Sequence, residues 1–278
     1  MTETSKLFDL QDRVAVVTGG TGLLGQEFCK TLTAAGASVV LADISSHKAQ
    51  SLAEELKHAG YDALAVPTDV TSLDSVRQMV TTTLDVYGRV DILVNSAVLD
   101  PKFDPEHLQK EVSKSGSGAF ESIPLELWNQ ALEVNLTGVF LCCQAAVQPM
   151  LVQGSGAIIN LSSIYGLAAP DQRIYQRQEK SARYKPVYYP VTKSAILGLT
   201  RYLATYYAGK NIRVNALSPG GVYNGHDETF VEAYSARTVL GRMAEKDEMN
   251  GALLFLASDA SAYMTGANIV IDGGWTTW

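Results

Sequence analysis

The sequence is poor in cysteine and in basic residues. Three cysteines stand among 278 residues, and two of them are adjacent, Cys142 and Cys143. This usage is typical of a reducing compartment and does not suggest a disulfide framework. Lysine and arginine total 22 against 29 aspartates and glutamates, which gives a net charge of −7. Proteins that grip nucleic acid by its phosphates carry a basic face, so we expect no nucleic-acid partner.

Long apolar segments are also scarce. No run approaches the roughly 18 consecutive apolar residues that predict a membrane span. The first six residues, Met1 to Lys6, lack the basic-then-apolar order of a signal peptide. We therefore expect a cytoplasmic globular protein with no membrane partner, and we predict no metal site.

Short apolar runs alternate with longer helical patterns along the whole chain. The runs predict strands at 13–18, 38–43, 63–66, 91–95, 157–161, 212–217 and 268–271. Helical spacing fills 26–35, 45–59, 72–87, 124–150, 188–208 and 245–257. Continuously apolar strands alternating with helices require a parallel sheet covered on both faces. The prediction is an α/β fold with a Rossmann-like, doubly wound parallel sheet, in a single domain over 1–278.

Two segments interrupt this alternation. Residues 98–122 are rich in Pro, Ser and Gly, and residues 169–187 form a long connection between a strand and a helix. Both follow strand ends at the sheet edge where open α/β sheets bind ligands. We therefore predict that both are inserts at an active site.

A glycine-rich turn lies between the first strand and the first long helix. It spans Thr18 to Gly25, and an acid, Asp43, ends the second strand about 20 residues later. Glycines let the backbone approach a pyrophosphate at a helix N-terminus. The Asp43 carboxylate can accept hydrogen bonds from ribose hydroxyls, and it would repel a 2′-phosphate. This predicts NAD as the cofactor in preference to NADP. The alternative is an exposed acid that caps the next helix.

A phenol and an ammonium group, those of Tyr189 and Lys193, are four residues apart in a predicted helix and so share one face. A neighbouring cation favours phenolate, so it can lower a tyrosine pKa and suit the residue to acid–base catalysis at a carbinol. Tyr206 and Lys210 have the same spacing, but that lysine lies at a helix end, where a cation stabilises the helix dipole.

The chain resembles the short-chain dehydrogenase/reductase family over nearly its whole length. The motifs that carry the resemblance occur in the family's order. They are Thr18-Gly19…Gly22…Gly25, Asp69-Val70, Asn95-Ser96-Ala97, Val134-Asn135-Leu136-Thr137-Gly138, Ile159-Asn160-Leu161-Ser162-Ser163, Tyr189…Lys193, Ser218-Pro219-Gly220 and Thr265-Gly266…Ile271-Asp272-Gly273-Gly274.

The resemblance implies a role for each of four catalytic residues. Tyr189 would exchange a proton with the substrate oxygen, and Ser163 would hydrogen-bond that oxygen. Lys193 would hold the nicotinamide ribose and lower the pKa of Tyr189. Asn135 would support a proton relay through Lys193. From local chemistry alone, Asn135 could instead join a helix to a strand, and Ser163 could be a turn residue.

The resemblance also implies a set of cofactor-binding residues. They are Gly19, Thr21, Gly22, Leu23, Leu24, Gly25, Asp43, Asp69, Val70, Asn95, Ser96, Ala97, Tyr189, Lys193, Pro219, Gly220 and Val222. The chain departs from the family pattern at Leu23, where the common short form has glycine. The longer branch of the family, with sugar-nucleotide epimerases and dehydratases that retain NAD, is therefore kept as an alternative function.

The second insert is locally basic in an acidic chain. It contains Arg173, Arg177 and Arg183 among its cations, and these could bind an anionic group of the substrate. The alternative is a solvated or subunit-facing loop. We expect an NAD(H)-dependent oxidoreductase that interconverts a secondary alcohol and a ketone on a sugar, sugar acid or polyol. The resemblance also implies a homotetramer or homodimer.

Overall fold

Seven strands form one parallel sheet in the computed structural model, which describes residues 3–100, 119–176 and 183–278. The strand order is β3-β2-β1-β4-β5-β6-β7. The strands are β1 (Val14–Thr18), β2 (Ser38–Asp43), β3 (Ala63–Pro67), β4 (Ile92–Asn95), β5 (Gly156–Leu161), β6 (Ile212–Pro219) and β7 (Asn268–Ile271). The predicted doubly wound sheet in a single domain is confirmed, and each strand lies within two residues of its predicted bounds.

Helices cover both faces of the sheet. In the described ranges they are α1 (Glu3–Lys6), α2 (Leu23–Ala34), α3 (Ser46–His58), α4 (Leu73–Tyr87), α5 (Leu125–Leu132), α6 (Gly138–Gln153), α7 (Tyr188–Tyr206), α8 (Glu228–Ser235) and α9 (Asn250–Ala257). Helix α8 was not predicted from the sequence. The predicted helix over 245–257 begins as a 3-10 turn, Lys246–Met249, before α9.

Side chains that alternate along the strands build two separate cores. Ala15 and Val17 of β1 point to the face covered by α2, α3 and α9. Val14 and Val16 point to the opposite face, which α4, α6 and α7 cover. Because both faces are buried, every β1 residue must be apolar or hydrogen-bonded, and this explains the continuous apolar run in the sequence.

The long helical pattern over 124–150 is one helix with an irregular turn. A π-helical segment, Glu133–Thr137, joins α5 to α6, so the whole helix runs over Leu125–Gln153. Its 29 residues, with a mean hydropathy of 1.3 in one window, are long and apolar enough to cross a membrane by length and composition. In this fold, however, α6 packs with the sheet as a core helix and buries Cys142, Cys143 and Met150.

The order in which strands are added to the sheet changes direction between β1 and β4. From β1 the chain continues outward through β2 and β3, and it then returns to place β4 on the other side of β1. Thr18 and Asn95 are paired at the carboxyl ends of these two strands. The loops after them diverge and leave a crevice, which is where open α/β sheets bind ligands.

Candidate active site

The glycine turn after β1 depends on close backbone contacts. Gly19 adopts φ +63°, and a Cβ at this position would lie 2.7 Å from the Ala97 Cα. A Cβ on Gly25 would overlap the Gly19 carbonyl oxygen. Larger residues at either position would push the turn away from α2 and β4. The two glycines therefore bring the first turn of α2 against the end of β4.

Leu23, the departure from the common glycine pattern, fits this turn without strain. Among the described residues, only Asp12 and Asn211 are non-glycine residues with positive φ, so Leu23 does not need the conformational freedom of glycine. Its side chain packs against the core on the α2 face. The substitution therefore leaves the form of the turn intact.

The first turn of α2 presents backbone N–H groups to the cavity. The N-cap residue, Gly22, supplies no side-chain hydrogen bond to that turn. The first N–H groups of a helix have no acceptor within the helix, and they lie at the positive end of its dipole. This is a favourable site for a phosphate-bearing ligand.

Asp43 is held rigidly at the end of β2. Its Oδ2 accepts hydrogen bonds from the Thr21 backbone N at 2.9 Å and the Thr21 Oγ1 at 2.8 Å, and its Oδ1 accepts one from the Ser45 N at 2.9 Å. The residue is buried, at 8 % exposure, yet it lines the cavity. Asp43 thus fixes the glycine turn to the end of β2 and also places a negative charge in the ligand site. The alternative of an exposed helix cap does not fit this burial.

A cavity of about 750 Å³ joins the glycine turn to the predicted catalytic residues. Sixteen of the seventeen predicted cofactor-binding residues line it, together with Ser163. The sixteen are Gly19, Thr21, Gly22, Leu23, Leu24, Gly25, Asp43, Asp69, Val70, Ser96, Ala97, Tyr189, Lys193, Pro219, Gly220 and Val222.

Asn95 is the predicted cofactor residue that lies outside this lining. Its side chain is buried and its Nδ2 donates to the Asn160 Oδ1 at 2.8 Å and to the Cys143 Sγ at 3.3 Å. The amide is therefore turned into the sheet, because it joins β4 to β5. The expectation that Asn95 borders the cofactor therefore gains no support from its side chain.

Ser163, Tyr189 and Lys193 converge at one end of the cavity. The first two turns of α7 place Tyr189 and Lys193 on one face, and Pro190 is tolerated because first-turn residues need no N–H acceptor. The Lys193 Nζ donates to the Leu161 carbonyl at 2.7 Å and lies 5.8 Å from the centre of the Tyr189 ring. Ser163 follows β5 and hydrogen-bonds Tyr189.

The protonation of this group is governed by burial. Burial, followed by the negative charge of Asp100, raises the pKa of Tyr189, and the hydrogen bond from Ser163 lowers it by less. Burial lowers the pKa of Lys193 to about 8, although Asp100 acts in the opposite direction. In the chain by itself, loss of water around the phenol thus outweighs its neighbours, and the lowering of the Tyr189 pKa by Lys193 remains a prediction.

Asn135 lies in the π-helical segment and acts as a bridge. Its Oδ1 accepts from the Leu99 N at 2.6 Å, and its Nδ2 donates to the Leu99 carbonyl at 3.3 Å and to the Thr192 Oγ1 at 3.4 Å. It is outside the cavity lining. The side chain holds the segment after β4 against α7, next to Lys193. Its predicted proton-relay role remains a prediction.

Aromatic side chains line the end of the cavity beyond Tyr189. They are Tyr165, Tyr175, Phe230 and Tyr234. The hydroxyls of Tyr165 and Tyr175 are 2.8 Å apart, and the rings of Tyr165 and Tyr189 meet edge to face with centres 6.4 Å apart. Sequence reasoning missed most of this wall because its members come from three separate segments, two short 3-10 turns and the unpredicted helix α8.

The cations of the second insert are divided between the cavity and the surface. Arg173 is 84 % exposed and pairs with Asp171 at 2.7 Å, so it does not point into the cavity. Arg183 is exposed and also lies outside the lining, and Arg177 lies outside the described residues. Among the cations of this insert that the structure describes, the one that lines the cavity is Lys185, which pairs with Asp100 at 2.7 Å. The predicted substrate roles of Arg173 and Arg183 are thus unsupported.

Comparison with known proteins agrees with this geometry. A family profile described as "Enoyl-(Acyl carrier protein) reductase" matches residues 23–276. The chain is 35 % identical over 270 residues to the cis-4-hydroxycyclohexanecarboxylate dehydrogenase of Sinomonas cyclohexanicum, covering 95 % of this chain and 97 % of the relative. The chain belongs to the short-chain dehydrogenase/reductase family. It is therefore an oxidoreductase fold with a nicotinamide dinucleotide site.

Other similar proteins are named for different alcohol substrates. The D-threitol dehydrogenase of Mycolicibacterium smegmatis is 33 % identical, with 97 % of this chain and 95 % of the relative covered. A crystal structure of a gluconate 5-dehydrogenase from Burkholderia cenocepacia J2315, in complex with NADP and tartrate, is 29 % identical, with a TM-score of 0.84 and coverage of 99 % and 100 %. All three of these relatives are named as dehydrogenases, so they give no support to the epimerase or dehydratase alternative.

Proposed function

We propose that the chain catalyses the NAD(H)-dependent interconversion of a secondary alcohol and a ketone. The observation that carries the proposal is the single cavity that joins the glycine turn and Asp43 to Ser163, Tyr189 and Lys193. A dinucleotide fits the groups that line this cavity, because backbone N–H groups can donate to the pyrophosphate and the Asp43 carboxylate can accept from ribose hydroxyls. A bound nicotinamide would accept or supply the hydride.

The residues of the chain would manage the proton and the substrate oxygen. Ser163 hydrogen-bonds that oxygen, and Tyr189 takes its proton during oxidation or returns it during reduction. Lys193, held by the Leu161 carbonyl, binds the ribose hydroxyls and contributes positive charge beside the phenol. Asn135 is the candidate relay residue, since it contacts the residue that precedes Lys193.

The preference for NAD over NADP rests on Asp43. Its carboxylate is fixed by three hydrogen bonds, so it cannot move away from a 2′-phosphate. One cation missed from the sequence, Lys48 on α3, also lines the cavity and would favour such a phosphate. We give Asp43 the greater weight, because a buried fixed charge is less screened than an exposed lysine.

The substrate we propose is a hydroxylated ring or chain of the sugar acid, polyol or cyclic hydroxy acid type. Flat faces of such molecules can lie against the aromatic side chains beyond Tyr189. The named relatives act on a hydroxycyclohexanecarboxylate, a threitol and a gluconate. These three compounds and their close analogues are therefore the first substrates to test.

The experiment is a spectrophotometric screen of these alcohols with NAD and, separately, with NADP. The Tyr189→Phe variant should lose turnover while it still binds the dinucleotide. Tyr188→Phe is the matched control, because Tyr188 is fully buried, lies outside the cavity lining, and has a hydroxyl with no partner within the described residues. Turnover that survives in Tyr189→Phe, or bound NAD with no net NADH formation on any alcohol, would refute the proposal.

We further propose a cytoplasmic homotetramer or homodimer. Apolar side chains on α6 and α7 are exposed in the single chain: Phe140 at 46 %, Val152 at 90 %, Tyr202 at 61 % and Tyr206 at 65 %. Contact with another copy would remove this surface from water.

A further inference from the structure

An ion pair is buried at the substrate end of the cavity. The Lys185 Nζ lies 2.7 Å from the Asp100 Oδ2, and the two side chains are only 11 % and 7 % exposed. Both residues line the cavity, although they come from segments that are 85 positions apart in the chain. Taking two charges out of water is costly, and Asp100 and Lys185 stand where the reaction would occur.

The pair adjoins the predicted acid–base residue. The Lys185 Nζ lies 3.9 Å from the centre of the Tyr189 ring, closer than the Lys193 Nζ at 5.8 Å. An ammonium group at this distance is attracted to the face of an aromatic ring. Tyr189 therefore has two cations near its ring, one from its own helix and one from the insert before it.

The main chain of Lys185 is also fixed. The Gln172 side chain donates to the Lys185 carbonyl at 3.1 Å and accepts from the Lys185 backbone N at 2.9 Å. Gln172 begins a 3-10 turn, Gln172–Tyr175, which Asp171 caps. These contacts, with the Asp100 bond at the far end of the side chain, leave Lys185 little freedom to leave the ring.

We propose that Lys185 and Asp100 form a positioning pair for Tyr189. The carboxylate fixes the ammonium group against the ring face, and the pair adds no net charge beside the phenol. This inference rests on the proposed function, in which Tyr189 exchanges the proton, and it assigns a reason for the long second insert.

The charged groups that face Tyr189 are few in the described part of the chain. They are Lys185, Lys193 and Asp100, and the neutral phenols Tyr165 and Tyr234 complete the surroundings. Asp100 raises the pKa of both Tyr189 and Lys193, whereas Lys185 lowers the pKa of Lys193. Removing either member of the pair should therefore shift both groups, and the two removals should act in opposite directions.

The first test is the pH dependence of kcat/KM for alcohol oxidation. Lys185→Met removes a positive charge beside the Tyr189 ring and leaves the negative charge of Asp100, so the acidic limb should move to higher pH by about one pH unit or more. Asp100→Asn leaves the ammonium group uncompensated, so the limb should move to lower pH by a similar amount. The double variant should return close to the wild-type limb, and Lys185→Arg, which keeps the charge, should not shift it.

The second test needs no turnover. Titration of the Lys193 side chain by carbon-13 NMR, assigned by loss of its signal in Lys193→Met, should show the same two opposite shifts. Opposite shifts by NMR without any alcohol turnover would uphold the pair and refute the proposed function. Shifts in one direction for both single variants, or no shift in either, would overturn the inference, because a merely structural pair lowers activity without this change of sign. Asn and Met have nearly the shapes of Asp and Lys, so both variants should fold. If one of them does not fold, the direction of the pKa shift in the other variant still tests the proposal.

Discussion

Replacing Asp43 with asparagine perturbs the charge that we hold responsible for cofactor choice. The carboxylate accepts three hydrogen bonds, two from Thr21 and one from the Ser45 N. Asparagine has one carbonyl oxygen, so it can keep both Thr21 bonds but must turn its NH₂ group toward the Ser45 N. The loss of one hydrogen bond to a charged group should lower the free energy of unfolding by about 1.5–3 kcal/mol.

The effect on cofactor choice follows from the lost charge. Two unit charges about 5 Å apart interact by about 1–3 kcal/mol over the range of dielectric constants near a protein surface. Removing the Asp43 charge should therefore improve kcat/KM for NADP relative to NAD by about tenfold to a hundredfold. The absolute rate with NAD should fall, because one acceptor for the ribose hydroxyls is lost.

The assay is kcat/KM for one alcohol with each dinucleotide, at fixed ionic strength. Asp69→Asn is the matched control, since Asp69 is an acid on the same cavity whose Oδ1 accepts from the Thr71 N and Oγ1. Equal changes of preference in both variants would show that general negative charge decides, not Asp43. A wild-type preference for NADP, or an unchanged ratio in Asp43→Asn, would refute the reasoning.

Three further predictions concern the site and the assembly. Arg173→Ala should leave the substrate KM unchanged, because this exposed guanidinium binds Asp171 and not the cavity; a raised KM in steady-state assays would contradict this placement. Gly25→Ala should lower the melting temperature and abolish dinucleotide binding, since its Cβ would overlap the Gly19 carbonyl. Gly198→Ala is the control and should not destabilise the fold, because apart from the adjoining backbone of its own helix no atom lies within 4 Å of the new Cβ. Light scattering after size exclusion should give a mass of two or four chains, and a monomer would exclude the proposed assembly.

A last prediction concerns stability and pH. The pKa of Lys193 falls from 10.5 to about 8 on folding, so the unfolded state binds the additional proton between these two pH values. The free energy of unfolding should therefore rise with pH across this window by up to about 3 kcal/mol from this group. Below pH 8 the buried ammonium costs stability, so Lys193→Met should be more stable than wild type there. Denaturant unfolding of both proteins at pH 7 and pH 10 measures the difference, and equal slopes with pH would contradict it.

The sequence by itself determined the sheet and the dinucleotide half of the cavity. The turn at Gly19, the acid at Asp43 and the Tyr189–Lys193 pair could each be predicted from local spacing, because apolar strands alternate with helices. In a parallel sheet the carboxyl ends of the strands lie at one edge. Their meeting in one cavity followed from the topology. Asn95 is the predicted cofactor-binding residue that does not line the cavity. Its side chain hydrogen-bonds Asn160 on the neighbouring strand, and local sequence does not reveal such a contact.

Only the tertiary structure decided the substrate half. The insert over 169–187 has a basic composition, but composition does not say which cation points inward. Arg173 forms an ion pair with Asp171, two residues earlier in the chain, whereas Lys185 pairs with Asp100 from a distant segment. The aromatic wall likewise comes from distant segments. Burial also sets the direction of the Tyr189 pKa, because the loss of water around the phenol raises that pKa more than the hydrogen bond from Ser163 lowers it. These are long-range effects of packing, and no spacing in the sequence records them.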